Sequence, residues 1–132
     1  MGVCYGKGGT TLMPLRIATT RVEPDIVVLQ PSGRITLGPQ IKSLEALVRD
    51  LLRKNEKKLI LDLTEVEFID STGTMVITDC FFAVKRAHGE LRLASARERV
   101  RRPFQIKLLD AVIPFYPTVA EACEGFTITP GG

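Results

Sequence analysis

The chain is expected to adopt an α/β fold: a mixed, mostly parallel β-sheet of about four to five strands, opened by a β-hairpin, with helices packed against it. Three observations predict this. Short β-branched runs alternate with longer amphipathic runs from Leu15 onward. The run Lys58 to Leu63 (KLILDL) is nearly continuously apolar, as in a strand covered on both faces. At 132 residues, 45% hydrophobic and 25% charged, the chain has one domain's worth of polypeptide and enough apolar surface for a core.

The first dozen residues, MGVCYGKGGTTL, carry four glycines and no hydrophobic period, so residues 1–13 read as a flexible tail. Gly6-Lys7-Gly8-Gly9-Thr10-Thr11 lacks the spacing of a phosphate-binding loop, and no strand precedes it. Met13 is a second candidate start, and the domain is expected over residues 14–125. Leu15 to Glu23 alternates loosely and ends at the turn signal Pro24-Asp25; Ile26 to Leu29 then leads through Pro31 to Gly33-Arg34-Ile35. Together they predict a hairpin.

Ile41, Leu44, Leu47, Val48, Leu51 and Leu52 recur at helical steps, which predicts a helix from near Gly38-Pro39 to near Asn55. After the Lys58–Leu63 strand, a second helix should start at Asp70-Ser71 and run to His88-Gly89, with glycine as the left-handed stop. Leu91-Arg92-Leu93 reads as a strand. Ser95 is the expected cap of a third helix over Ala96 to Leu109, kinked or split by Pro103. Val112 to Phe115 is the expected last strand and Thr118 to Glu124 the last helix, with residues 126–132 frayed.

Composition excludes much chemistry. One histidine (His88) and three scattered cysteines (Cys4, Cys80, Cys123) rule out a zinc cluster of usual spacing. The net charge of +3, from 18 basic and 15 acidic residues, is too mild to imply nucleic acid. Arg97, Arg99, Arg101, Arg102 and Lys107 form a basic cluster near the third helix, without the interleaved aromatics of a nucleic-acid reader, and read as a solvated face. Cys80 reads as a core residue and Cys4 as a tail thiol, and free cysteines suit a reducing cytoplasm. No apolar run approaches the ~20 residues of a membrane span, and no secretory pattern opens the chain.

The most informative stretch runs from Leu59 through the strand and a short loop to the apolar pair Phe68-Ile69, then Asp70-Ser71-Thr72-Gly73 opening a helix. Helix starts have unpaired N–H groups and a positive dipole end, so they favour anions. Asp70 can cap the helix, and Gly73 allows a close backbone approach. A phosphate on an exposed hydroxyl here would add about −1.5 to −2 charges and change the surface a partner meets. An ordinary helix cap accounts for the same residues. Behind the motif, Met75, Val76, Ile77, Cys80, Phe81, Phe82, Ala83 and Val84 are apolar on more than one stripe. The surplus either packs under the third helix or forms an exposed patch beside Ser71, with Phe81 or Phe82 as its anchor.

This stretch resembles the STAS family, the anti-sigma factor antagonists and their relatives, whose signature is D-S-[ST]-G after such a strand. The likeness covers Leu15 to Glu124 and includes Gly33-Arg34-Ile35-Thr36, Gly89-Glu90-Leu91 and Arg99-Val100-Arg101-Arg102. It implies a STAS-like fold with Ser71 as the phosphorylated position and Thr72 as the neighbouring hydroxyl. It implies a partner switch as well. The unphosphorylated protein binds a serine/threonine kinase that doubles as an anti-sigma factor. The kinase, with its own ATP, phosphorylates Ser71, and a serine phosphatase resets the cycle. No catalytic residue, cofactor or membrane insertion of its own is implied, and self-association is expected to reach no further than a weak homodimer. Arg34, Thr36, Thr74, Met75, Phe81 and Phe82 are the expected partner contacts.

Two departures bear on partner choice: Thr74-Met75 stands where the family often has Leu-Gly, and Gly33-Arg34-Ile35-Thr36 replaces the common Gly-Glu-Ile-Asp. A second reading is a non-phosphorylated STAS scaffold, in a stress-signalling assembly or as an accessory subunit of a membrane transporter. A third, an enzyme with Ser71 as nucleophile, needs a nearby base. His88 lies at the far end of the same helix, about 25 Å away by helix rise.

Overall fold

A computed structural model describes residues 16–38 and 41–127 of the chain. Two strands open it, β1 (Arg16–Val22) and β2 (Ile26–Ile35), paired antiparallel as the hairpin signals predict. Helix α1 (Ile41–Arg53) and strand β3 (Lys58–Asp62) follow, then a strand the sequence reading passed over, β4 (Val66–Ile69). The rest comprises α2 (Ser71–Arg86), β5 (Glu90–Ala94), α3 (Glu98–Ile106), a single 3-10 turn at Leu109–Ala111, β6 (Phe115–Tyr116) and α4 (Val119–Thr127).

The sheet has the order β1-β2-β3-β5-β6, with β4 branching from β2, and every pairing except β1 with β2 is parallel. Among the described residues the sheet thus has six strands, where about four to five were expected. The branch arises within β2. Its first half, Ile26 to Leu29, pairs with β3, whereas Gly33 to Ile35 pair with β4 after a register shift at Gly33/Arg34. Gly33 holds a left-handed φ of 109°, which lets the strand change direction there. β4 was hard to see because it is four residues long and buries only its ends, Val66 and Ile69, so it shows no alternation.

Side-chain alternation sorts the sheet's two faces. Val27, Leu29, Leu59, Leu61, Leu91 and Leu93 join the main core under α1, α2 and α3. Ile26, Val28, Ile60 and Ala94 face the other way, onto Ala122 and Phe126 of α4. The continuous apolar run of β3 is thus a strand covered on both faces, as expected. α1 buries the anticipated stripe of Ile41, Leu44, Val48 and Leu51. Cys80 is buried in the core, where desolvation above all, helped by Glu45 and Asp79, pushes its thiol up to about 12.

Several expected boundaries moved, each for a local reason. The left-handed residue ending α2 is His88 (φ 67°), not Gly89. Gly89 is needed for proximity instead: a Cβ there would lie 2.6 Å from the Lys57 carbonyl oxygen, beside the Glu90 N–H to Lys57 bond that starts β5. Ser95 does not cap α3. Its own φ is 60°, its hydroxyl donates to the Pro117 carbonyl, and the cap position falls to Arg97. α3 stops at Ile106, three residues beyond Pro103, which lacks the N–H that would bond back to Arg99. The last strand begins at Phe115 rather than Val112. α4 reaches Thr127 and buries Phe126, so fraying does not begin at residue 126. The expected tail over residues 1–13 lies outside the described residues. Among the described residues, no helix is long and apolar enough to cross a membrane.

Candidate functional site

The start of α2 is fastened to the end of β2 through its backbone. Asp70 is extended (φ −104°, ψ −172°), and its Oδ1 accepts the Gly73 N–H at 2.8 Å. Its Oδ2 accepts the Leu37 N–H at 3.0 Å, and its own N–H donates to the Ile35 carbonyl at 3.3 Å. One carboxylate therefore caps the helix and ties down the loop after β2. Gly73 completes the clamp. A Cβ there would sit 2.1 Å from the Ile35 carbonyl oxygen, so only glycine fits. The close approach anticipated from the motif is real, and its partner is the Ile35 backbone.

On this platform Ser71, the first helical residue, is exposed, and Thr72 is half-buried. The Ser71 hydroxyl makes no hydrogen bond among the described residues. Its neighbours Asp70 and Thr74 are committed to the helix start, since Thr74 Oγ1 donates to the Asp70 carbonyl and Thr78 Oγ1 to the Thr74 carbonyl. Both threonines are buried and satisfied this way. Thr74 is therefore removed from the expected partner contacts, because its side chain faces inward to bond the backbone.

Phe81 is removed as well. It is 2% exposed and packs edge-on against Phe82, with ring centroids 5.2 Å apart, while Phe82 is 40% exposed. Of the two anchors weighed from sequence, only Phe82 reaches the surface. Met75, one turn beyond Ser71, is 47% exposed, and Phe68 and Leu37 add apolar surface on β4 and the loop after β2. Arg34 is exposed and stands over the Phe68 ring, 5.8 Å from its centroid, because the two residues are paired in register between β2 and β4. Thr36, in the loop after β2, is half-buried. The apolar surplus of α2 thus divides: Val76, Ile77, Cys80, Phe81 and Val84 enter the core, and Met75 and Phe82 stay outside.

Beside Ser71 runs an open groove of about 670 Å³. Phe68, Ile69 and Ser71 form one wall; α3 and its flanks form the other with Arg97, Arg99, Arg102, Ile106 and Lys107. The basic cluster read as a solvated helix face is therefore a wall of the same groove. Arg101 is the exception, turned toward the Phe115 ring at 5.3 Å. The useful signal was the spacing of Val100 and Phe104, which bury one side of α3 and turn Arg99 and Arg102 away from the core. It was legible only in part, because which element faces α3 depends on β4. His88 is exposed at the opposite end of α2, far from the Ser71 hydroxyl.

Comparison with known proteins agrees with this architecture. The STAS domain model matches residues 18–122. A protein of Thermotoga neapolitana, classed as a homologue of the anti-sigma factor antagonist TM1081, is 31% identical over 104 residues, covering 79% of this chain and 92% of that protein. The crystal structure of a Thermotoga maritima protein assigned the same role superposes with a TM-score of 0.70 at 28% identity, covering 82% and 92% of the two chains. The Bacillus anti-sigma factor antagonist SpoIIAA in its unphosphorylated form shares the fold, with a TM-score of 0.73 at 17% identity over 87% of this chain and 99% of that one. With Ser71 of the D-S-T-G helix start exposed to solvent, the chain belongs to the STAS domain family, among the anti-sigma factor antagonists.

Proposed function

We propose that this protein is a phosphorylation-controlled binding module that works by partner switching. Unphosphorylated, it binds an anti-sigma factor that is also an ATP-dependent serine kinase, and so frees the sigma factor. Phosphorylation of Ser71 breaks that complex, and a serine phosphatase restores it. The observation that carries this reading is the exposed, unengaged Ser71 hydroxyl on a backbone clamped by Asp70 and Gly73, with the exposed apolar side chains of Phe68 and Met75 close by and Phe82 about three turns further along α2. A phosphate there adds about −1.5 to −2 charges without requiring the fold to move. SpoIIAA, which shares the fold, exists in a phosphorylated form.

A binding role, rather than catalysis, also suits the local chemistry. The Asp70 carboxylate is occupied by two backbone N–H groups, and Glu98 across the groove is paired with Arg102 at 2.9 Å. The Asp70 carboxylate is therefore not free to activate Ser71 as a nucleophile.

The test is incubation of the chain with the kinase-type anti-sigma factors of its source genome and Mg-ATP, followed by mass spectrometry. One phosphate on Ser71, none on Ser71→Ala, and loss of the complex in Ser71→Asp is the expected result. An unchanged mass with every such kinase would replace the switch with a non-phosphorylated scaffold.

A further inference from the structure

We propose that the groove between β4 and α3 receives an acidic segment of the protein partner. An apolar side chain of that segment lies against Phe68 and Ile106, and its carboxylates face Arg99, Arg102 and Lys107. The inference deepens the binding role proposed above and rests on it.

Charge is the first argument. The groove's lining includes four basic residues and one acidic residue. That one acid, Glu98, is paired with Arg102 on the exposed surface, where an ion pair contributes about 0–1 kcal/mol and is readily exchanged. Arg97 reaches only a neutral group, the Thr64 carbonyl at 3.3 Å, so its charge stays unbalanced. Arg99 and Lys107 form no ion pair among the described residues. Arg34 adds a further positive charge beside Phe68.

Apolar exposure is the second argument. Ile106 is 73% exposed and Phe68 is 43% exposed, and both line the groove. Neither contributes much to the core from there, yet each offers area to a docked side chain. Apolar seats framed by cations of one sign fit an amphipathic acidic peptide better than a bare polyanion.

The geometry also ties the groove to Ser71, which lines it. A phosphate on Ser71 would face the same cations and repel the segment's carboxylates. Release then has two sources, repulsion of the segment and loss of its counter-charges.

The test uses the unphosphorylated full chain labelled with nitrogen-15. It is titrated with a short peptide alternating Glu and Leu, with the same peptide carrying Lys for Glu, and with a single-stranded oligonucleotide. The acidic peptide should shift the amides of Phe68, Ser71 and Ile106 and bind about tenfold more tightly at low salt than at physiological salt. The basic peptide should not bind. Arg99→Glu with Lys107→Glu should weaken the acidic peptide by about tenfold or more while thermal stability is unchanged. Equal binding of both peptides, shifts confined to other surfaces, or tighter binding of the oligonucleotide would overturn the proposal. No kinase is involved, so its failure would leave phosphorylation of Ser71 standing, and an unphosphorylated Ser71 would leave the groove result standing.

Discussion

Arg92 and the arginines of α3 are the same residue type in opposite circumstances. Arg92, on the α4 face of the sheet, is 8% exposed. Its Nε bonds Glu90 at 2.9 Å and its NH1 bonds the Ala122 carbonyl at 2.7 Å. Its guanidinium lies 4.0 Å from the centroid of the Phe126 ring and 5.2 Å from that of Tyr116. Its NH1 bond and its stacking on Phe126 hold α4 on the sheet. Arg99 and Arg102 are exposed, and what is rigid in their neighbourhood is backbone: the α2 start fastened by Asp70 and Gly73. One region immobilises a side chain to complete the fold. The other immobilises main chain and leaves side chains exposed to a partner.

The strongest way to break this contrast is at the clamp. Gly73→Ala drives a methyl into the Ile35 carbonyl, which is backbone and cannot swing aside, so urea unfolding should show a loss of about 3 kcal/mol. A loss below about 1 kcal/mol would mean that the α2 start shifts easily and the platform is not rigid.

Arg92→Ala comes next, with an expected loss of about 2 kcal/mol. It removes two charge-assisted bonds and the packing against Phe126. Arg99→Ala should stay within about 0.5 kcal/mol of the parent. Equal effects in paired thermal melts would erase the distinction between the two regions.

Asp70→Ala removes the cap and the link to Leu37, and should destabilise the chain by about 1–2 kcal/mol. Hydrogen exchange should rise at the Gly73 and Leu37 amides together, because one carboxylate protects both.

The smallest effect belongs to an exposed pair that sharpens the comparison with Arg92. Arg21 reaches Glu56 with bonds of 3.2 and 2.5 Å, linking β1 to the turn after α1. The hydrogen bond from Arg21, with its positive charge, holds the Glu56 carboxyl below its ordinary range. A carboxyl lowered in the folded state stabilises above its unfolded pKa, and that contribution disappears as pH falls through the folded value. The stability gap between the parent and Arg21→Ala should therefore be small at neutral pH, begin to shrink below the ordinary carboxylate pKa and vanish only below the lowered Glu56 value. A gap that persists at low pH would show that Arg21 acts through packing instead.

Much of this arrangement could be read before any coordinates. The helical stripe of α1, the double-faced strand β3 and the cap at Asp70 are local: each depends on residues within one or two turns, where spacing and side-chain chemistry decide the outcome. So does the presence of Ser71 at a helix start. Contacts between distant segments were not legible. β4 is too short and irregular to announce itself, yet it forms one wall of the groove. Phe81 and Phe82 are neighbours of the same type, and only the direction of the core buries one and exposes the other.

The sequence by itself determined the alternation of strands and helices, the position of the Asp70-Ser71-Thr72-Gly73 helix start and the scarcity of catalytic side chains, because these are properties of composition and short-range geometry. Tertiary structure alone decided that Gly73 meets the Ile35 carbonyl, that Thr74 turns inward, and that the basic side of α3 stands across a groove from Ser71. Those facts depend on which surfaces pack together over separations of about thirty residues, and burial is settled by the whole core at once rather than by any single segment.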